Sequence, residues 1–421
     1  MSAAVDHALD LAAFVAASPS SFHAAAEGAR RLEAAGFARQ IESEPWQGGP
    51  GGRYLIRDGA LLAWRVPEGA GPTTPYRILG SHTDSPSFKL KPNPDFVSAG
   101  WGQVGVEIYG GPLLNSWLDR ELGLAGRLAL TDGREVLVRT GPIMRIPQLA
   151  IHLDRAVNDQ GLQLSKQQHT APIWLVGDDH RSVLDHLAGL AGVATAEIGG
   201  FDVLAYDTAA PAVFGIDDQF LASSRLDNLS SVHASLVALI NSGPGDSISV
   251  LAAFDHEEAG SGSRSGAAGP ILADVLDRIA GSLGADVDER HRALAGSYCL
   301  SADAGHAVHP NYAGRHDPVN RPLMNGGPLL KINANLRYAS DARGAAIWHA
   351  ACRAAGVTGQ EFVSNNDLPC GTTIGPLTAT RIGITTVDVG VPLLSMHSAR
   401  ELAGVEDLRA LAQAMQAFLA G

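Results

Sequence analysis

Cysteine is scarce in this chain: 421 residues hold three, Cys299, Cys352 and Cys370, an odd number with no paired spacing. That argues against a disulfide framework and for a reducing compartment, so a cytoplasmic location is expected. Basic residues are also in deficit, with 31 Lys and Arg against 44 Asp and Glu and a formal net charge of −13. Without a dense Lys/Arg run the chain lacks the electrostatic footprint of a nucleic-acid binder, and no nucleic-acid partner is expected. The negative surplus favours solubility and opposes an anionic ligand at long range, so any acidic selectivity must come from a few local cations. Long apolar runs are missing: none reaches the roughly eighteen residues of a membrane span. Asp6 and Asp10 interrupt the N-terminal apolar stretch and no basic segment precedes it, so neither a membrane association nor a signal peptide is expected. Internal repeats and low-complexity linkers are absent as well. What is present is an ordinary balance of 45% hydrophobic and 18% charged residues, on a chain long enough for two or three domains.

Three textures follow one another. Helices are expected at 6–17 and, after Pro19, from a cap at Ser20 or Ser21 to about Gly36. A strand-like run at 76–80 then leads into Ser81-His82-Thr83-Asp84. The block 88–209 is rich in alternating strand patterns such as Val104-Gly105-Val106-Glu107-Ile108, and 127–130 and 135–139 flank an Asp132-Gly133 hairpin signal, with one helix at 182–191. From 220 onward strands (247–254, 297–301, 329–336, 385–389) alternate with helices (228–240, 271–283, 342–355, 405–420). The expected fold is therefore α/β, a mixed sheet with helices on both faces, formed by 1–87 and 210–421 and interrupted by a β-rich insert at 88–209.

Five short motifs stand just after strand-like runs, where ligands of α/β sheets bind. In the first, His82 can ligate a metal while Asp84 accepts a hydrogen bond from its other ring nitrogen; a plain polar pair at a strand end has the same sequence. The second, Ser224-Arg225-Leu226-Asp227-Asn228, also reads as a helix N-cap. The third, Asp255-His256-Glu257-Glu258, sets two glutamates side by side, a repulsive arrangement unless one sits on a cation or both face water. The glycines after it lack the Gly-Lys-Ser/Thr ending of a phosphate loop. The fourth is Ser301-Ala302-Asp303-Ala304-Gly305-His306, with His309 beyond, and the fifth is Ser395-Met396-His397-Ser398-Ala399-Arg400-Glu401, whose lone histidine, taken alone, is more often a structural residue than a ligand.

Together they supply what a pair of zinc ions requires: nitrogen and oxygen ligands, a bridging carboxylate and an adjacent base. His82 and Asp303 would serve one metal and His397 and Glu258 the other, with Asp227 between them and Glu257 as general base.

The motif series resembles the aspartyl aminopeptidase family of co-catalytic zinc peptidases. The resemblance rests on Gly80-Ser81-His82-Thr83-Asp84-Ser85-Pro86, Trp117-Leu118-Asp119-Arg120, Ala150-Ile151-His152-Leu153-Asp154-Arg155, the Asp227 motif, Glu257-Glu258, residues 301–312, Asn366-Asp367-Leu368-Pro369-Cys370-Gly371 and residues 395–401. It implies a zinc-peptidase catalytic domain with two Zn2+ on the five ligands named, a catalytic role for Asp84 beside Glu257, and substrate contacts at His152, His306, Lys331 and Tyr338. It further implies that the insert is a dimerisation domain whose His152 reaches a neighbouring subunit's site, and that subunits assemble as dodecamers acting on peptides that begin with Asp or Glu. A cis peptide at Asp227-Asn228 is implied too. Two departures, Ala259 and the small pair Ala304-Gly305, suggest looser packing near the metals. Lys331 is the local cation for an acidic side chain: at about 4 Å and an effective dielectric near 20 the attraction is about 4 kcal/mol before desolvation. A related two-zinc deacylase of N-acyl amino acids would use the same metals and base, and a non-catalytic cargo or assembly protein on the same scaffold is a third reading.

Overall fold

A computed structural model describes residues 2–46, 48–177, 181–243 and 245–421. It divides into two compact units, Met1–Asp84 with Pro211–Met396 and Glu401–Gly421, and Ser85–Ala210 with His397–Arg400. The four residues 397–400 thus cluster with the β-rich segment and not with the chain around them.

The first unit is built on a mixed sheet of nine strands. Its order is Ala38–Arg39, Gly51–Arg57, Ala60–Val66, Ile248–Phe254, Tyr76–His82, Tyr298–Ala302, Thr385–Gly390, Leu329–Ile332 and Gln360–Val363. The four strands from Ile248–Phe254 to Thr385–Gly390 run parallel, while Ala60–Val66 and Leu329–Ile332 join them antiparallel on either side. Period-two alternation splits each central strand between two apolar layers. Leu61, Ala63, Leu79, Leu251, Ala253 and Leu300 face helices Ala3–Ala17, Ser21–Ala34, Leu226–Asn241, Ala342–Ala355 and Val405–Ala420. Leu62, Trp64, Ile78, Val250, Ala252 and Cys299 face helices Ile271–Ser282, Val287–Ala295 and Ile374–Ile382. A smaller sheet of five short strands includes Phe220–Ser223, Pro392–Leu394 and Glu401–Gly404.

The second unit is an antiparallel sheet of six strands in the order Glu135–Arg139, Leu122–Leu130, Ile198–Asp207, Ser87–Ser98, Trp101–Tyr109 and Ile173–Val176. Its core gathers Phe88, Val104, Leu124, Leu128 and Val203 with Val183 and Leu187 of helix Val183–Ala191, which Ser182 caps.

The differences from the expected elements have local causes. The first helix begins at Ala3 because Ser2 caps it by accepting the Val5 N–H. The strand expected to reach residue 336 stops at Ile332, where the Asn333 side chain accepts the Asn335 N–H and folds the chain into a turn. Among the described residues no helix is long and apolar enough to cross a membrane.

Candidate metal centre and active site

Three neighbouring parallel strands of the nine-stranded sheet finish level with one another. Phe254 is the register partner of His82, and Ser301 that of Gly80. The residues that follow these strand ends therefore emerge side by side: His82 itself, Asp255 to Glu258 after Phe254, and Asp303 after Ala302. Glu257–Ala259 is a single 3-10 turn entered through His256 at φ +63°.

Asp227 arrives from another direction. Its motif crosses from strand Phe220–Ser223 into helix Leu226–Asn241, with Arg225 at φ +57°, a cis Asp227-Asn228 peptide, and both of these residues outside helical geometry. Asp227 is not the helix N-cap; that position falls to Arg225, which makes no side-chain cap bond. Two buried contacts hold the crossing in place. The Asp227 N–H donates to Glu401 Oε2 at 2.9 Å, and Asn228 Nδ2 donates to the Ala302 carbonyl at 2.8 Å.

His82, Asp227 and Asp303 are all buried, and one donor atom from each lies within 4.8 Å of the others; His82 and the half-buried Glu257 and Glu258 lie within the same distance of one another. His82 Nε2 stands 3.5 Å from Asp227 Oδ1 and 3.9 Å from Asp303 Oδ1. Burial works against a charge on His82, but the carboxylates of Asp227, Asp303 and Asp84 overcome it and hold the imidazole well above its usual range. Burial, opposed by His82 and reinforced by Asp303, Asp84 and Asp227, pushes Glu257 up to about 7. Anions crowded out of water need a cation among them. Imidazole nitrogen with carboxylate oxygen and no thiolate is a donor set that suits zinc. The residues present fit a divalent metal.

Asp84 acts differently from the expected pairing. The His82 Nδ1 partner at 3.0 Å is the Asp84 backbone carbonyl, and Asp84 Oδ1 is farther away at 3.4 Å. The carboxylate instead accepts the backbone N–H groups of Glu257 at 3.0 Å and Glu258 at 3.1 Å. The turn leaves both donors pointing at it, and an anion is their strongest partner.

Of the expected substrate contacts, Lys331 and Tyr338 are buried and His306 is exposed. Lys331 Nζ donates to the Ala304 carbonyl at 2.7 Å, lies 3.9 Å from Asp303 Oδ1 and stands 5.4 Å from the Tyr338 ring centre. Phe362, the register partner of Lys331, packs between the Tyr338 ring at 6.3 Å and the His306 ring at 6.1 Å. No motif pointed to Phe362, because its place depends on strand pairing remote in sequence. Gly305 does not loosen the packing as expected: a Cβ there would meet Leu329 Cδ1 at 2.8 Å and Lys331 Cε at 3.4 Å, so those side chains occupy the room. His152 and His397 belong to the second unit. His152 is exposed on a turn between the exposed side chains of Ile151 and Leu153. His397 stands at φ +65° with Nδ1 3.0 Å from the Gly111 carbonyl.

Residues 14–419 match the family model described as aminopeptidase I zinc metalloprotease (M18). A probable M18 family aminopeptidase 2 of Streptomyces avermitilis is 54% identical over 99% of this chain and 98% of its own length. Its namesake in Mycobacterium tuberculosis is 44% identical over 97% of each. Among solved structures, Ape4 in its cryo-EM complex with Nbr1 superposes with a TM-score of 0.95 at 34% identity, over 99% of this chain and 86% of that one. The dodecamer of S. cerevisiae mApe1 gives 0.85 at 29% identity, over 98% and 96%. With its fold shared at this level and its sequence matched almost from end to end, the chain belongs to the M18 family of zinc metalloaminopeptidases.

Proposed function

We propose that this M18 aminopeptidase uses two zinc ions to release Asp or Glu from the free amino end of peptides. In this reading His82 and Asp303 would hold one ion and His397 and Glu258 the other, with the Asp227 carboxylate available to both. When bound, such a pair polarises the scissile carbonyl and brings the pKa of a coordinated water towards about 7. Glu257 accepts the proton of the attacking water and hands it to the departing amine, a role suited to a half-buried carboxyl beside the candidate ligands. Asp84 fixes the turn that carries both glutamates.

The observation that carries the acidic preference is Lys331. A lysine buried beside a candidate metal ligand, donating to a carbonyl at 2.7 Å, 3.9 Å from a carboxylate oxygen and set against an aromatic face, is a cation held where a substrate anion could meet it. The carboxylate of a substrate's first side chain would be that anion. The second unit is proposed as the dimerisation domain, delivering His152 to a neighbouring subunit within a dodecamer.

A panel of peptides differing only in the first residue, each with a free and an acetylated amine, tests the reading. Asp and Glu peptides with a free amine are the expected substrates. Turnover of the acetylated forms would favour a deacylase, and absence of turnover by zinc-loaded protein would favour a non-catalytic role. Lys331→Ala should keep its zinc and lose at least about tenfold, or about 1.4 kcal/mol, of the Asp-over-Ala preference. A wild-type selectivity ratio in that variant would remove Lys331 from the account.

A further inference from the structure

Asp388 lies on strand Thr385–Gly390, fully buried, and takes no part in the centre described above. Its carboxylate collects donors from three separate segments. Ser301 Oγ donates at 2.6 Å from the strand that leads to Asp303. Thr373 Oγ1 donates at 2.6 Å from the cap of helix Ile374–Ile382. The backbone N–H of Ala339 donates at 2.6 Å from the residue after Tyr338. The Asp388 N–H in turn donates to Ser340 Oγ at 2.9 Å.

Two features make this more than a satisfied polar group in a core. First, the carboxylate has no room to move: a Cβ on Gly375 would lie 2.3 Å from Asp388 Oδ2, so the start of that helix is packed directly on it. Second, the loop it grips carries Tyr338, whose ring stands 5.4 Å from Lys331 Nζ and which clusters with Phe362 and Cys370. Cys370 belongs to the Asn366-Gly371 motif, which the metal chemistry leaves unexplained, and Thr373 follows shortly after it. One buried carboxylate therefore ties together the strand leading to a proposed metal ligand, the segment just after an unassigned motif and the aromatic wall beside Lys331.

We propose that Asp388 is a positioning residue for substrate selectivity: by fixing the Ala339 N–H it sets the Tyr338 ring against the Lys331 ammonium. The inference rests on the reading of Lys331 and Tyr338 as substrate contacts. Replacing the carboxylate with an amide weakens the anchor of Ala339, and a displacement of that wall would weaken binding of the first side chain while leaving the metal ligands in place.

The experiment compares kcat, KM and zinc content for matched Asp- and Ala-initiated peptides in the wild type, Asp388→Asn, Ser340→Ala, Tyr338→Ala, Lys331→Ala and the Asp388→Asn/Tyr338→Ala double variant. Asp388→Asn is expected to raise KM for the Asp peptide by about tenfold more than for the Ala peptide, with zinc retained. In the Tyr338→Ala background the same substitution should add nothing, since both act through one wall. Equal effects on the two peptides, or full additivity with Tyr338→Ala, would overturn the proposal. If Asp388→Asn does not fold, Ser340→Ala decides: a selective rise in KM of about threefold supports positioning, and no selective rise refutes it. Retained Asp preference in Lys331→Ala sinks the underlying reading and this inference together. Preference lost in Lys331→Ala but intact in Asp388→Asn sinks the inference alone.

Discussion

Asp84 grips Glu257 by its backbone: Oδ1 accepts the Glu257 N–H at 3.0 Å while Oδ2 takes that of Glu258 at 3.1 Å. A single carboxylate thus sets the spacing between the residue proposed as base and the residue proposed as ligand. Asp84→Ala would leave two turn N–H groups without their acceptor and release both glutamates together. Loss of such a supporting contact typically costs about 10- to 100-fold in metal affinity or activity. Titration with zinc and steady-state kinetics should both register the loss; a variant altered in neither would show the contact to be incidental.

Gly390 packs directly against the backbone of Asp303. A Cβ on Gly390 would lie 1.8 Å from the Asp303 carbonyl oxygen, a backbone atom with no freedom to retreat while Asp303 N–H donates to the Val389 carbonyl at 2.9 Å. Gly390→Ala should therefore push apart the chain segments that present Asp303. The expected outcome is destabilisation of about 1–3 kcal/mol or more in chemical denaturation, with weakened zinc binding. A variant of unchanged stability and zinc affinity would mean that the strands yield more readily than the contact implies.

The N-terminal helix carries a pH-sensitive attachment. His7 packs edge-on against the ring of buried His233 at 4.9 Å, and His233 Nε2 meets Asp10 Oδ2 at 2.7 Å. Burial, then the neighbouring His233 and the charge of Arg409, against the pull of Asp10, bring His7 from its ordinary 6.5 down to about 4. A histidine lowered on folding favours the folded state fully above its unfolded value, and that contribution is lost as pH falls through 6.5 towards 4. Relative to His7→Gln, the wild type should lose at most about 3 kcal/mol of stability across that window, read from denaturant midpoints at a series of pH values. Parallel pH profiles for the two proteins would contradict the assignment.

Much of the candidate centre was legible because the motifs of His82, Glu257-Glu258 and Asp303 follow strands buried on both faces, and an apolar run that stops at a charged residue marks a strand end. His82, the Glu257-Glu258 pair and Asp303 were all read in this way, and Asp227 came from its place between a strand and a helix. The hairpin of Gly51–Arg57 and Ala60–Val66 was not read, although Asp58-Gly59 carries the same turn signal as Asp132-Gly133. Its second strand, Ala-Leu-Leu-Ala-Trp-Arg-Val, sits inside the sheet with apolar residues on both faces, so no polar alternation marks it. Strands as short as Gly305–His306 and Pro392–Leu394 leave too little pattern to detect. Phe362, Glu401, Gly390 and Asp388 owe their roles to partners far away in sequence, and neither spacing nor composition reveals a register between remote strands.

The claim on which the rest depends is that two metal ions share the carboxylate of Asp227. Diffraction from zinc-loaded crystals, recorded at the zinc absorption edge, tests it directly. The predicted result is two anomalous peaks per subunit about 3.5–4 Å apart, one within bonding distance of His82 and Asp303 and the other of His397 and Glu258, with Asp227 reaching both. A single peak, or peaks remote from His82, would contradict it.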